Sequence, residues 1–326
     1  MNVSVLIPSH LGQRFDWLKH RLNFLYKLGY TDEVVVGVWG GQDRIEDLRN
    51  FCRILSPNIR VVSQDGATRF TTRMVELAQL ASGEYAVAQG DDDFIIPGAV
   101  NNAASLLARD PSVCCAQGRF ILLDPTSSYP SYRINYFPLW QALEEEALPR
   151  FSSYMKHFGT TFHGVYRRPQ FIERMTWMDE TKANTRDEVL FEYMGEMYTV
   201  IKGKFAILDE IFFVKGMHED NTSKTLRANL SHKMPPYMIL SPDFSSSYKF
   251  FEGQVFRLLE SVGVDVGNPD NRKQIMDGLV DFVGFMIYKR RDRYDPQEAM
   301  MRQMVSEVPV HPAVDQVLRF VTATAV

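Results

Sequence analysis

Strand-like and helix-like segments alternate along the first 124 residues, and this alternation restricts the fold more than any other feature of the chain. The strand-like runs are apolar throughout, as in VSVLIP at 3–8 and EVVVGVW at 33–39, which is typical of strands covered on both faces. Further strand-like runs cover 59–64, 84–89 and 113–124, and helical spacing of apolar residues covers 14–28, 45–55, 71–81 and 97–111. The sequence therefore predicts an α/β fold in which helices flank a mostly parallel sheet.

The later part of the chain predicts a change of architecture near residue 230. Residues 163–168 and 203–216 are strand-like, residues 186–200 have a helical stripe of apolar side chains, and the pattern beyond about residue 230 is mostly helical. We therefore expect an α/β domain over 1–229 and a mainly helical C-terminal region over 230–326. The segment YKRRDRY at 288–294 is explained either by a solvated helix end or by contact with a membrane surface or partner. An oligomer formed through the C-terminal helices is a further option.

Composition argues against several classes of protein. The formal net charge is −4 and the pI is near 6.0, so no nucleic-acid surface is expected. The three cysteines, Cys52, Cys114 and Cys115, have neither zinc-site nor disulfide spacing, which favours buried thiols in a reducing compartment. The chain starts with a strand-like run rather than a signal peptide, and no stretch reaches the roughly 20 apolar residues of a membrane helix. We expect a cytoplasmic protein, with peripheral membrane contact left open.

Three consecutive aspartates follow the strand-like run at 84–89. Asp91, Asp92 and Asp93 repel one another, so a divalent cation, two or three lysines or water must offset their charge. Side chains alternate along an extended segment, so Asp91 and Asp93 are expected on one side and Asp92 on the other. Two carboxylates on one side suit Mg²⁺ or Mn²⁺, ions that proteins often hold together with substrate phosphates. The alternative is a turn or helix-capping cluster, which aspartate also favours.

A second polar segment ends the first strand. Pro8 and Ser9 follow the apolar run there, as the aspartates follow the fourth strand. In open α/β sheets, ligands bind beyond the carboxyl ends of the strands. We therefore expect Pro8, Ser9, Asp91 and Asp92 to converge on one ligand-binding crevice.

Residues 1–225 resemble the family-2-like glycosyltransferases of the Rossmann-like GT-A fold. The resemblance rests on VSVLIPSH at 3–10 and on ASGEYAVAQGDDDFIIPGA at 81–99, where a helix end leads through an apolar strand to an Asp-x-Asp motif. It implies a metal-dependent, inverting transfer of a sugar from a nucleotide-diphosphate sugar, expected to be UDP-linked, to a hydroxyl acceptor. Synthesis of a cell-surface glycan or polysaccharide is the implied setting, and Mn²⁺ or Mg²⁺ is the implied cofactor.

The resemblance also implies roles for individual residues. Asp91 is expected to contact the ribose or a metal-bound water and Asp93 to hold the metal, while His218 in HEDNTS steadies metal and diphosphate. Asp187 stands at the position of the family's general base and is expected to accept the acceptor's proton, with Glu188 as the fallback base. From the residues alone, a helix N-cap explains Asp187 equally well, and an ordinary loop histidine explains a lone His218.

One departure from the family pattern concerns the donor nucleoside. The family usually has an aspartate after the second strand, whereas this chain has Trp39-Gly40-Gly41, so Trp39 is expected to stack on the base. Asp65, after the third strand, is expected to supply the missing polar contact to the base. Arg69 or Arg73 is a candidate to face the phosphates, with a surface arginine as the commoner case.

Three other functions share part of this pattern. A nucleotidyltransferase acting on sugar phosphates also uses acidic strand ends, but it favours a glycine-rich, basic loop after the first strand, where this chain offers Gly12-Gln13-Arg14. A glycoside hydrolase does not explain aspartates at a strand end of an α/β pattern. A non-catalytic nucleotide-sugar-binding module stays open.

Overall fold

The computed structural model describes residues 2–124, 131–133, 140–157, 159–182, 188–216 and 244–288. Its strands are β1 (Val3–His10), β2 (Val34–Trp39), β3 (Ile59–Ser63), β4 (Tyr85–Ala88), β5 (Asp93–Ile95), β6 (Val113–Asp124), β7 (Ser131–Arg133), β8 (Val165–Arg167) and β9 (Lys204–Gly216). Its helices are α1 (Leu11–Lys27), α2 (Gln42–Leu55), α3 (Phe70–Leu80), α4 (Pro97–Arg109), α5 (Ala147–Met155), α6 (Arg168–Lys182), α7 (Glu188–Lys202), α8 (Phe244–Ser261) and α9 (Pro269–Tyr288).

These strands form one sheet in the order β3-β2-β1-β4-β8-β6-β9-β5, with β7 paired to β6. The first four strands along this order are parallel, as predicted. Beyond β4 the sheet is mixed, because β8 is antiparallel to both of its neighbours and β5 is antiparallel to β9. The predicted α/β fold class, with helices flanking the sheet, is confirmed.

The sheet is covered on both faces, as its continuous apolar strands require. Along β1, Val5 and Ile7 pack into a hydrophobic cluster with α1, α2 and α4, while Leu6 packs into a second cluster with α3 and α5 to α9. This alternation follows from the two-residue period of a strand. Helices therefore cover both faces of the sheet.

The two described C-terminal helices are part of the second cluster. Helix α8 packs against α7, α9 packs against α5, and Phe251, Leu258 and Phe282 are buried in that cluster. Residues 289–294 of the basic, aromatic segment lie outside the described residues. No helix in the described part of the chain is both long and apolar enough to cross a membrane. All three cysteines are free and buried, as expected from their spacing.

Candidate functional site

The carboxyl ends of β1 and β4 bring two of the predicted site segments together. The β1–β4 register pairs Leu6 with Ala88, so Pro8 and Ser9 extend beside the chain that leads to Asp91. The Ser9 hydroxyl donates a 2.6 Å hydrogen bond to Asp91 Oδ2, and both residues are buried. The two strand ends therefore meet at one edge of the sheet, where ligands of such folds bind.

The three aspartates lie in a turn followed by a short strand. Asp91 and Asp92 occupy the turn, and Asp93 begins β5. The expected alternation of these side chains along an extended strand is therefore wrong, because the backbone turns before β5 starts. The turn also explains Gly90, since a Cβ atom there would lie 2.5 Å from Asp93 Oδ2.

An arginine from α1 offsets part of the aspartates' charge. Arg14 Nη1 donates a 2.9 Å hydrogen bond to Asp92 Oδ2 and lies 3.8 Å from Asp91 Oδ1. Burial raises the pKa of Asp91 to about 6, while the hydrogen bond from Ser9 and the charge of Arg14 act in the opposite direction. Asp91 and Asp92 therefore have protein partners.

Asp93 is more enclosed, with 3% of its surface exposed. Burial, followed by the charge of Asp92, raises its pKa to about 7, while Lys215 and Arg21 lower it. Lys215 pairs with Asp93 in the β5–β9 register. Arg21 is fully buried, with its guanidinium 5.0 Å from the ring centroid of Phe94, and burial lowers its pKa to about 9. Two buried or half-buried cations thus compensate one buried carboxylate.

One carboxylate oxygen of the three aspartates lacks a hydrogen-bond partner among the described residues and is suited to bind a divalent cation. Asp93 Oδ1 is buried and accepts no hydrogen bond from any described residue. Because Arg14, Arg21 and Lys215 already offset the negative charge, it is this oxygen rather than the net charge that favours a cation. The described ranges contain no group of three or more histidine, cysteine or acidic side chains that could hold a metal ion by themselves. A hard cation often takes one or two carboxylates and completes its shell with phosphate oxygens and water, so the arrangement fits one.

His163 adds a neutral group to this edge, and its segment HGVYRR at 163–168 is the one that resembles the acceptor-side strand of the family-2-like glycosyltransferases. The β4–β8 register pairs Val87 with Val165, which places residue 163 opposite Gln89, two residues before Asp91. The imidazole hydrogen-bonds to the backbone of Ala88, and burial, followed by the charge of Lys215, lowers its pKa to about 3. His163 is therefore uncharged at neutral pH.

Trp39, Asp65 and Arg73 come together at the ends of β2 and β3. The Arg73 guanidinium lies over the Trp39 ring, 3.8 Å from its centroid, and donates to the backbone carbonyls of Gly66 at 2.5 Å and Asp65 at 3.3 Å. Asp65 Oδ1 accepts a 2.9 Å hydrogen bond from the Ala67 N–H. Arg73 thus orders the β3–α3 loop and covers one face of Trp39, so a base stacking on Trp39 would use the opposite face.

The predicted acceptor-side residues are only partly covered by the structure. Asp187 and His218 lie outside the described residues, so their roles stay predictions. The described part of α7 starts at Glu188, the fallback base.

No protein-family model matches the chain, and no curated protein is found to be similar. Among solved structures, S. aureus TarS 1–349 in complex with UDP-GlcNAc is 15% identical with a TM-score of 0.51, over 89% of this chain and 82% of that chain. The mannosyltransferase PcManGT from Pyrobaculum calidifontis, in complex with GDP-Man and Mn²⁺, is 11% identical with a TM-score of 0.43, over 99% of this chain and 88% of that chain. At such identities the likeness concerns the fold alone, and the match to TarS supports the Rossmann-like GT-A architecture implied by the sequence.

Proposed function

We propose that this chain is a glycosyltransferase that moves a sugar from a nucleotide-diphosphate sugar to a hydroxyl acceptor. The observation that carries the proposal is the contact of Ser9 with Asp91 at the carboxyl edge of the sheet, beside the unpaired oxygen of Asp93. A donor bound along this edge would direct its base toward Trp39 and Asp65 and its diphosphate toward Asp93. UDP-GlcNAc, present in the TarS structure of similar fold, is the first donor to test.

The proposed cofactor is Mn²⁺ or Mg²⁺, held by Asp93, with Asp91 and His218 as further ligands. When bound, such a cation neutralises the diphosphate and stabilises it as a leaving group. Asp91 keeps its Ser9 hydrogen bond, and Arg14 holds Asp92, so the turn that carries both side chains is fixed before the donor arrives. This preorganisation is what a diphosphate site requires.

The proposed general base is Asp187, with Glu188 as the alternative. An acceptor hydroxyl is a weak nucleophile at neutral pH, so a carboxylate beside it must accept its proton during an inverting transfer. The sequence predicts that Asp187 lies at the start of a helix, where the helix dipole would favour the ionised carboxylate. The proposed setting is glycan or polysaccharide synthesis in the cytoplasm, with peripheral contact to a membrane.

The test combines donor binding with turnover. Calorimetry with UDP-GlcNAc and a panel of UDP-, GDP- and dTDP-linked sugars, with Mn²⁺ or with EDTA, should show binding that is lost with EDTA and in Asp93→Asn. Asp47→Asn, at an exposed position of α2, is the matched control and should bind as the wild type does. Binding that is unchanged in Asp93→Asn would contradict the proposed donor site.

Turnover separates an enzyme from a binding module. Asp187→Asn should retain donor binding and lose sugar transfer, and NMR of the product should show the inverted anomeric configuration. Full transfer activity in both Asp187→Asn and Glu188→Gln would contradict the proposed base. Donor binding without transfer or hydrolysis of any donor would favour the non-catalytic module.

A further inference from the structure

Arg21 is a buried cation that makes no hydrogen bond to any described residue. It lies on α1 with 1% of its surface exposed, and all three of its guanidinium nitrogens are unpaired among the residues that the structure describes. Buried charges in proteins are normally paired and hydrogen-bonded, because a charged group that leaves water without a partner costs free energy. The surroundings of Arg21 must therefore account for its position.

Two aromatic rings hold the Arg21 guanidinium in place of hydrogen-bond acceptors. Its Cζ atom lies 5.0 Å from the ring centroid of Phe94 and 6.0 Å from that of Phe24. The two rings meet edge to face with their centroids 4.9 Å apart, and both side chains are buried. The face of an aromatic ring attracts a cation, and this attraction is strongest where water is excluded. We call Phe24 and Phe94 the aromatic clamp.

The natural acceptor for Arg21 is the carboxylate of Asp93. Asp93 directly precedes Phe94 in β5, and it is the carboxylate that acts most strongly on the charge of Arg21. Its Oδ1 atom is buried and has no hydrogen-bond partner in the described part of the chain. Two opposite buried charges thus lie within electrostatic reach of each other without a hydrogen bond, although a direct bond would satisfy both.

Arg14 provides the contrast on the same helix. It lies two helical turns before Arg21 on α1 and donates a 2.9 Å hydrogen bond directly to Asp92 Oδ2. That bond occupies the Asp92 oxygen, whereas Arg21 offsets the charge of Asp93 and leaves Oδ1 unoccupied. A metal ion would have to displace a guanidinium from an oxygen of the first kind but not from one of the second.

We propose that Phe24 and Phe94 are positioning residues for the metal site, because they hold Arg21 near enough to offset the charge of Asp93 and too far away to occupy its Oδ1. The carboxylate is thereby compensated in the ligand-free protein while its oxygen stays available to Mn²⁺ or Mg²⁺. Removing the clamp should allow Arg21 to bond Asp93 and compete with the cation. This inference rests on the proposed function and adds the residues that keep its cation ligand accessible.

A double-mutant cycle tests the clamp, with Mn²⁺ titrated calorimetrically into the full chain in the presence of excess UDP. Phe94→Leu removes the ring but keeps an apolar side chain, and it should weaken Mn²⁺ binding roughly tenfold because Arg21 then competes for Oδ1. In the Arg21→Met background the same change should have little effect, since the competing cation is gone. Phe251→Leu, at a fully buried ring on the other face of the sheet, is the matched control and should bind Mn²⁺ as the wild type does.

A crystal structure of ligand-free Phe94→Leu gives a second readout that depends on neither ligand nor activity. It should show a guanidinium nitrogen of Arg21 within hydrogen-bond distance of Asp93 Oδ1. If Phe94→Leu does not fold, Phe24→Leu replaces it in both measurements and should act in the same direction.

Two results would overturn the proposal. One is an Arg21 side chain that keeps its wild-type position in the variant crystal. The other is a loss of Mn²⁺ affinity that is equal with and without Arg21, because the rings would then act only as core packing. If the wild type binds no Mn²⁺ with UDP, the proposed function fails, while the crystal structure still decides whether the rings hold Arg21 away from Asp93.

Discussion

Replacing Asp93 by asparagine should make the ligand-free protein more stable at neutral and alkaline pH. Asp93 is almost completely buried, and burial raises its pKa from the ordinary 3.8 to about 7. The folded state therefore binds a proton more tightly than the unfolded state does. The stability contributed by protonated Asp93 is complete below about pH 4 and is lost as the pH rises to about 7. Asparagine keeps the shape of the side chain without the ionisation.

The size of the effect follows from the change in pKa. A tenfold change in proton affinity is worth about 1.4 kcal/mol, so the rise from 3.8 to about 7 corresponds to about 4 kcal/mol. The gain in the free energy of unfolding of Asp93→Asn should therefore be about 2 kcal/mol at pH 5 and about 4 kcal/mol at pH 8. The same variant should lose donor binding, as expected where a functional site is maintained at the expense of stability.

Urea denaturation of the ligand-free wild type, Asp93→Asn and Asp47→Asn at pH 5 and pH 8 measures this directly. Asp47→Asn, at an exposed position, should change the free energy of unfolding by less than about 0.5 kcal/mol at both pH values. If Asp93→Asn is no more stable than the wild type at pH 8, or gains equally at both pH values, the argument from burial is refuted.

Three further predictions address the same edge of the sheet. Gly90→Ala should destabilise the protein by about 1 to 3 kcal/mol in urea, because its Cβ would lie 2.5 Å from Asp93 Oδ2. Gly98→Ala, whose Cβ would meet nothing within 4 Å, should not destabilise, and equal effects at both glycines would contradict this reasoning. Trp39→Ala should weaken donor binding about tenfold in calorimetry, because the base loses its stacking partner, while Trp39→Phe should lose less affinity. Unchanged affinity in both variants would exclude stacking on Trp39. Arg21→Met should move the pH dependence of stability to higher pH, because the Asp93 carboxylate loses a buried positive charge that lowers its pKa, and an unchanged pH dependence would show that Arg21 is not its counter-ion.

Local periodic patterns explain which elements were predicted from the sequence. Strand 113–124 coincides with β6, and the helix expected over 71–81 is α3 at 70–80, since both have uninterrupted apolar patterns. Helix α6 was not predicted, because Arg174 interrupts the apolar series formed by Phe171, Met175 and Met178. The structure buries this arginine, which donates a 3.0 Å hydrogen bond to the Gly195 carbonyl and lies near Glu196. A buried charge of this kind depends on partners that a local pattern does not reveal.

The site was predictable where its residues are adjacent in sequence and unpredictable where they come from distant segments. The aspartates and Ser9 were identified because they follow strand-like runs. Arg14, Arg21 and Lys215 were not, because their relation to the aspartates depends on where α1 and β9 lie. The sequence suggested lysines among the neutralising groups, and the structure supplies two arginines and one lysine.

A crystal structure of the protein with a UDP-sugar and Mn²⁺ tests the central claim most directly. The account predicts density for the diphosphate at the carboxyl edge of β1 and β4, with the cation coordinated by Asp93 and the base next to Trp39. Diphosphate and cation bound away from Asp93, with the contact between Ser9 and Asp91 unaffected, would contradict the assignment of this edge as the donor site.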